Sequence, residues 1–165
     1  MSKFVFFYGH QKGKKYACLS NWYPAQFEKN GNIFSNTEQY MMYRKALLMG
    51  DLEMSEKILK TGDPRKAKAL GRKVSNWDEE KWVKNREQIM YDGCMLKFSN
   101  PENIEMRNEL LSTRGKSCVE CSPYDRIWGI GMNMNDSSKE DENNWKGLNL
   151  LGKTLDKVRE QLNKV

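Results

Sequence analysis

From Ser35 to Ser112 the chain offers helical stretches in close succession, and this leaves little room for anything but a mainly helical fold. Ser35-Asn-Thr-Glu38 resembles a capping box, with the Ser hydroxyl on one backbone N–H and the Glu carboxylate on another. It predicts a helix over 37–49, stopped by Gly50. Asp51 opens a second helix to residue 60, stopped by Thr61-Gly62. Asp63-Pro64, an acidic cap with Pro in the first turn, opens a third to residue 72. Asp78 opens the longest, to residue 98, with Trp82, Ile89, Met90 and Leu96 or Phe98 at helical intervals. A short helix fits 103–112. The last, over 149–164, carries Leu151, Leu155, Val158 and Leu162 on one face.

Strand signals are few. Phe4 to Tyr8 is short, aromatic and β-branched, and Gly9 stops it. Phe27 and Ile33-Phe34 flank Asn30-Gly31, a strong hairpin-turn pair. Residues 16–22 read as extended, pairing with 4–8 or running on into Pro24. The first 35 residues are therefore expected to form a small β element. A short strand is expected over 117–121, and a polar, acidic loop over 135–144. No linker divides the chain. The expected fold is mainly α (α+β), one domain over 1–165 with a small N-terminal β element.

At 165 residues such a domain buries enough surface to fold without staples. The 28 Lys and Arg against 22 Asp and Glu give a net charge of +6, which leans towards polyanionic partners such as nucleotides or nucleic acid. The longest clean apolar run, Phe4 to Tyr8, is too short for a membrane span or a signal-peptide core. The expectation is a cytoplasmic protein with no membrane role. Cys118-Val-Glu-Cys121 has metal-site spacing, but one His in the whole chain, His10, leaves no ligand set for zinc. Both are read as ordinary thiols of a reducing compartment, and no metal or cofactor is expected.

Four groups of residues have the chemistry of a site. Glu38 and Lys45 are seven apart on one expected helix, about two turns, so they share a face. The plainer reading makes Glu38 a cap and Lys45 a solvated lysine. Five tryptophans, Trp22, Trp77, Trp82, Trp128 and Trp145, are either core or stacking surfaces. Ser122-Pro-Tyr-Asp125-Arg-Ile-Trp128-Gly-Ile-Gly131 concentrates an acid, an indole and two glycines in one loop, which suits either a site or an Asx turn. Gly147-Leu-Asn149-Leu-Leu-Gly152 leads into the last helix. Asn149 is a plausible N-cap, and the free N–H groups there suit a phosphate.

Taken in order, these segments resemble the NADAR, or YbiA-like, family. The resemblance rests on Leu19-Ser-Asn21-Trp-Tyr-Pro24; Phe34-Ser-Asn-Thr-Glu38-Gln39 with Lys45; Ala67 with Leu70-Gly71-Arg72; and Trp82 with Arg86 and Met90. It continues through Lys97-Phe98, Leu110-Leu111-Ser-Thr113, Ser122-Pro-Tyr-Asp125, Trp128-Gly-Ile-Gly131 and Gly147-Leu-Asn149-Leu-Leu-Gly152, spanning about residues 16 to 163.

The resemblance implies a compact helical YbiA-like fold and an N-glycosidase that breaks an N-ribosyl bond. The foremost substrate it implies is guanine carrying ADP-ribose, as nucleotide or in nucleic acid, with an ADP-ribosyltransferase toxin as functional partner. Alternatives are early phosphoribosyl intermediates of riboflavin biosynthesis, or an ADP-ribose-binding module without turnover. Carried over by position, Glu38, Lys45 and Asp125 are the catalytic candidates, and Asn21, Trp82, Trp128, Gly129, Gly131 and Asn149 the substrate-binding ones. Two routes stay open: water attack on an oxocarbenium-like centre steadied by a carboxylate, or attack by Lys45 leading to a Schiff base. The segment 132–146 is longer and more acidic than in shorter members.

Overall fold

The computed structural model describes residues 1–164, and its elements fall into two units, one formed by Pro24–Ile104 and the other by Met1–Tyr23 with the chain from Glu105 onward.

The contiguous unit begins with a hairpin of β2 (Phe27–Lys29) and β3 (Asn32–Phe34), in antiparallel register with Phe27 opposite Phe34. Asn30 and Gly31 both take positive φ, 51° and 81°, as a turn matched to strand twist requires. Phe27 and Phe34 stack at 5.6 Å, and Tyr40 sets its ring edgewise on both. Four helices follow: α1 (Thr37–Leu48), α2 (Leu52–Leu59), α3 (Pro64–Gly71) and α4 (Glu79–Ser99). Asp51, Asp63 and Asp78 cap α2, α3 and α4, as their sequence positions predict.

The cap of α1 lies one residue later than expected. Asn36, not Ser35, is the N-cap, and its Oδ1 accepts from Gln39 N at 2.8 Å. Gln39, not Glu38, returns the bond, accepting from Ser35 N at 2.7 Å. Its Nε2 also donates to the carbonyls of Ile58 and Leu59, and Asn36 Nδ2 donates to Gly62 O, so this cap locks α2 in place. Glu38 is thereby released from capping. α1 crosses α4 where Gly93 leaves room for the Tyr40 ring; a Cβ there would stand 2.8 Å from Tyr40 Cδ1.

In the other unit, β1 (Phe4–Phe7) runs parallel to β4 (Ser117–Glu120), with Phe4 opposite Ser117 and Phe7 opposite Glu120. This corrects the expected partner of β1. Residues 16–22 do not extend alongside it: Ala17–Leu19 form a 3₁₀ turn, with Tyr16 at φ 66°. The reason is tertiary. The Glu109 carboxylate accepts from both Tyr16 N and Cys18 Sγ, and Ala17, Cys18 and Leu19 are all buried, which an alternating strand does not allow. The N-terminal 35 residues are therefore not one β element but one strand of a two-stranded sheet plus a separate hairpin.

α5 (Ile104–Leu111) leads into β4. α6 (Leu150–Asn163) lays Leu151, Leu155, Val158 and Leu162 against the core, as the spacing predicts. Phe4, Val119, Cys121, Ile130 and Met132 form a core cluster, with Trp145 against Phe4 at 5.2 Å. The acidic loop is more ordered than expected. Ser137–Glu140 and Glu142–Asn144 are 3₁₀ turns capped by Asp136 and Asp141, and Trp145 Nε1 closes them on Lys139 O at 2.8 Å.

Candidate functional site

Within the contiguous unit, α1 brings together the first group of candidates. Glu38 stands in its first turn, only 5% exposed, and Lys45 in its last. The Lys45 amine lies 4.7 Å from the centroid of Trp77 and 5.5 Å from that of Trp82, two rings 6.1 Å apart and inclined at 50°. Trp82, buried on α4, floors the amine. Trp77, 45% exposed, covers it from the segment before α4. That segment is tied down: Ser75 N donates to Asp51 Oδ2 at 2.8 Å, and Trp77 Nε1 to Glu79 Oε2 at 3.0 Å.

Electrostatics follow from this packing. Burial pushes the Lys45 pKa down, and the nearby Arg72 adds to that; Glu38 and Glu79 pull it back up. A lysine resting on indole faces, with its neutral form favoured by burial, has the makings of a nucleophile or base. Sequence reasoning named Trp77 only as one of five tryptophans and Arg72 only within the family pattern, and it missed Glu79. The signal for Trp77 and Glu79 was present, since Asp78 as N-cap puts Trp77 immediately before the helix and Glu79 in its first turn.

The second group lies in the other unit. Asp125 Oδ1 accepts from Ile127 N and Trp128 N, both at 2.9 Å, which is an Asx turn. Trp128 is buried behind it. Gly129 packs so closely on β4 that a Cβ would stand 2.9 Å from Glu120 O, and Gly131 takes φ 67°. Asn149 sits at the N-cap of α6 with left-handed backbone but makes no side-chain cap bond, which corrects the expected cap. Instead its Oδ1 accepts from Glu120 N at 3.0 Å and its Nδ2 donates to Cys118 O at 3.1 Å. The N–H groups expected to suit a phosphate are also engaged: Leu148, Asn149, Leu150 and Leu151 donate to the carbonyls of Arg126, Gly129, Ile127 and Trp128. Gly147 and Gly152 permit this, since a Cβ on either would collide with Gly129 O or Cys118 O. Asn21, also in this unit, is buried just after the 3₁₀ turn.

Cys118 and Cys121 are buried thiols. Burial pushes their pKa values up, to about 12 and about 11. Cys121 Sγ donates to Met132 O at 3.3 Å. Among the described residues, no helix is long and apolar enough to cross a membrane.

A model of the NADAR domain matches residues 6–163. The protein irg-1 of Caenorhabditis elegans is 43% identical over 96% of this chain and 79% of its own length. N-glycosidase R617 of Acanthamoeba polyphaga mimivirus is 42% identical over 96% of each chain. The NMR structure of Escherichia coli YbiA superposes with a TM-score of 0.77 at 26% identity, covering 99% of this chain and 88% of that one. Among the described residues six helices and two small sheets make an α+β fold like that of YbiA, and kinship with proteins named N-glycosidases makes this chain a glycosidase. The chain belongs to the NADAR family, across nearly its whole length.

Proposed function

We propose that this glycosidase hydrolyses an N-ribosyl bond and that its substrate is guanine carrying ADP-ribose in nucleic acid. The observation that carries the reading is the Lys45 amine, seated on two indoles, its pKa lowered by burial, with Glu38 on the same helix face near enough to oppose that shift. The neutral Lys45 amine attacks the anomeric carbon of the ribose. The carbon–nitrogen bond to guanine breaks, and the proton that Lys45 sheds passes by way of Glu38 to the departing amino group. Opening of the ribose ring leaves a Schiff base on Lys45, and water hydrolyses it to release ADP-ribose. Trp77 and Trp82 wall the sugar or stack on a base.

In the other unit, Asn21, Asp125, Trp128, Gly129, Gly131 and Asn149 are proposed to handle substrate. Asp125 Oδ1 is held by its own loop, so any chemical part falls to Oδ2. On this reading residues 1–165 act as one functional domain in the cytoplasm, and an ADP-ribosyltransferase toxin supplies the modified base.

The test is an oligodeoxynucleotide bearing ADP-ribosylated guanine, with released product identified by mass. Wild type should free ADP-ribose, Lys45→Ala should be slower by a factor on the order of 10³ or more, and borohydride should trap a sugar on Lys45. Equal turnover by Lys45→Ala removes the amine from the mechanism. No trapped adduct during turnover means direct water attack. Release of ribose 5-phosphate from phosphoribosyl aminopyrimidines, with guanine adducts untouched, moves the enzyme to the riboflavin-type substrate. Binding of ADP-ribose with no cleavage of anything in the panel makes it a reader.

A further inference from the structure

The inner stripe of α4 carries two cations where the helix period calls for apolar side chains, Lys97 and Arg86, and of the two Arg86 has the buried donor that goes unanswered. Trp82, Ile89, Met90, Gly93, Cys94, Lys97 and Phe98 are its buried positions. Arg86 falls within that stripe, four residues after Trp82 and four before Met90, where an apolar side chain is the ordinary choice. It is only partly exposed, and its Nε is shut off from water with no hydrogen-bond partner. The other packed arginines are engaged. Arg44 donates to Tyr40 Oη and Asp92, and Arg159 to Thr113 Oγ1 and the carbonyls of Thr113 and Lys116. Of the acids on α4, Glu79 is committed to Trp77, Glu80 to Lys84, and Asp92 to Arg44 and Gln88, while Glu87, next in the chain, is exposed and projects about 100° round the helix from Arg86. An unanswered donor on a charged group is costly to keep. Its retention points to a ligand.

Position and chemistry indicate which ligand. Side chains four apart on a helix are neighbours, about 5–6 Å between Cβ atoms, so Arg86 adjoins Trp82, the ring that floors Lys45. One helical turn is comparable to the reach across a ribose from its anomeric carbon to a 5-phosphate. A guanidinium offers a planar fork that matches two phosphate oxygens. Arg72, whose charge already acts on Lys45, gives the same neighbourhood a further positive charge.

We infer that Arg86 is the receptor for the phosphate on the 5-position of the ribose whose anomeric carbon faces Lys45. This rests on the proposed reaction at Lys45. It adds the residue that reads the phosphate common to the proposed substrates.

The experiment uses the full chain and three variants of one residue, Arg86→Met, Arg86→Lys and Arg86→Gln, with calorimetric binding of ADP-ribose and of plain ribose. Arg86→Met should weaken ADP-ribose by about tenfold or more, the usual worth of a charge-assisted bond. Arg86→Lys should fall between it and wild type, because a point charge replaces the fork, and Arg86→Gln should follow Arg86→Met. Binding of plain ribose should be the same in all four proteins. Melting gives a second readout that a structural role would reverse. Removing an unanswered buried donor should leave the melting temperature of Arg86→Met unchanged or raised. Undiminished ADP-ribose affinity in Arg86→Met overturns the assignment, as does an equal loss for plain ribose or a clear drop in melting temperature. If wild type binds ADP-ribose through Arg86 yet leaves modified guanine intact, the substrate reading falls and the phosphate receptor stands.

Discussion

Lys45 owes its character to four side chains drawn from outside its own helix and one from within it. Burial against Trp77 and Trp82 is the largest influence and lowers its pKa; Glu38 and Glu79 oppose it, and Arg72 adds to it. The sign of each substitution follows. Reactivity of the amine should rise with pH, with a midpoint below the usual lysine value of about 10.4. Glu38→Gln removes a charge that favours the protonated form and should move that midpoint lower still. Trp77→Ala re-wets the amine and should move it higher. The pH dependence of Lys45 acylation, read by peptide mass, checks both, and opposite shifts would refute the account. Spacing alone put Glu38 and Lys45 on one face. It did not reveal the indole cover, because Trp77 reaches Lys45 through the fold rather than along α1.

At the scale of elements, the N-caps show why local reading succeeds and then slips by one residue. Asp51, Asp63 and Asp78 each stand alone as cap candidates, and the helices begin where they say. Before α1, Ser35 and Asn36 are both competent caps, and Glu38 and Gln39 are both competent partners, so two registers differ by a single residue. Tertiary contacts decide between them, since only Gln39 also satisfies the carbonyls of Ile58 and Leu59. Asn149 illustrates the same limit. Its place before α6 reads as a cap, yet its amide spans two backbone groups of β4. Asn149→Ala should therefore cost about 2–4 kcal/mol, for two buried backbone groups left unanswered. Asn149→Asp keeps the acceptor for Glu120 N but sets a buried carboxylate against the Cys118 carbonyl, and should not recover the loss. Urea denaturation midpoints would show it. A stable Asn149→Ala protein with weakened ligand affinity would instead make Asn149 a substrate contact.

For the molecule as a whole, the buried thiols set an alkaline limit. Burial lifts Cys94 and Cys118 to about 12 and Cys121 to about 11, against 9.0 for a free thiol. An unfolded chain sheds these protons first. The stabilisation is therefore whole below about pH 9 and drains away as pH climbs towards 11 and 12. Melting temperature should fall between pH 8.5 and pH 10.5, roughly, and less steeply once Cys94→Ala or Cys121→Ala has removed a thiol. Identical slopes in wild type and variants would count against it. The membership of the family and the sequence of helices were legible along the chain. The pairing of β1 with β4 was not, because hydrophobic pattern marks a strand without naming its partner.

That pairing has a consequence during synthesis. Phe4 waits for Ser117, and at ordinary elongation rates the interval is on the order of ten seconds. Throughout it, Phe-Val-Phe-Phe leaves the ribosome as a bare, greasy β edge with nothing to complement it. Chaperone capture of the nascent β1 segment is the natural safeguard, and slowing translation between these two strands should lower the yield of active protein.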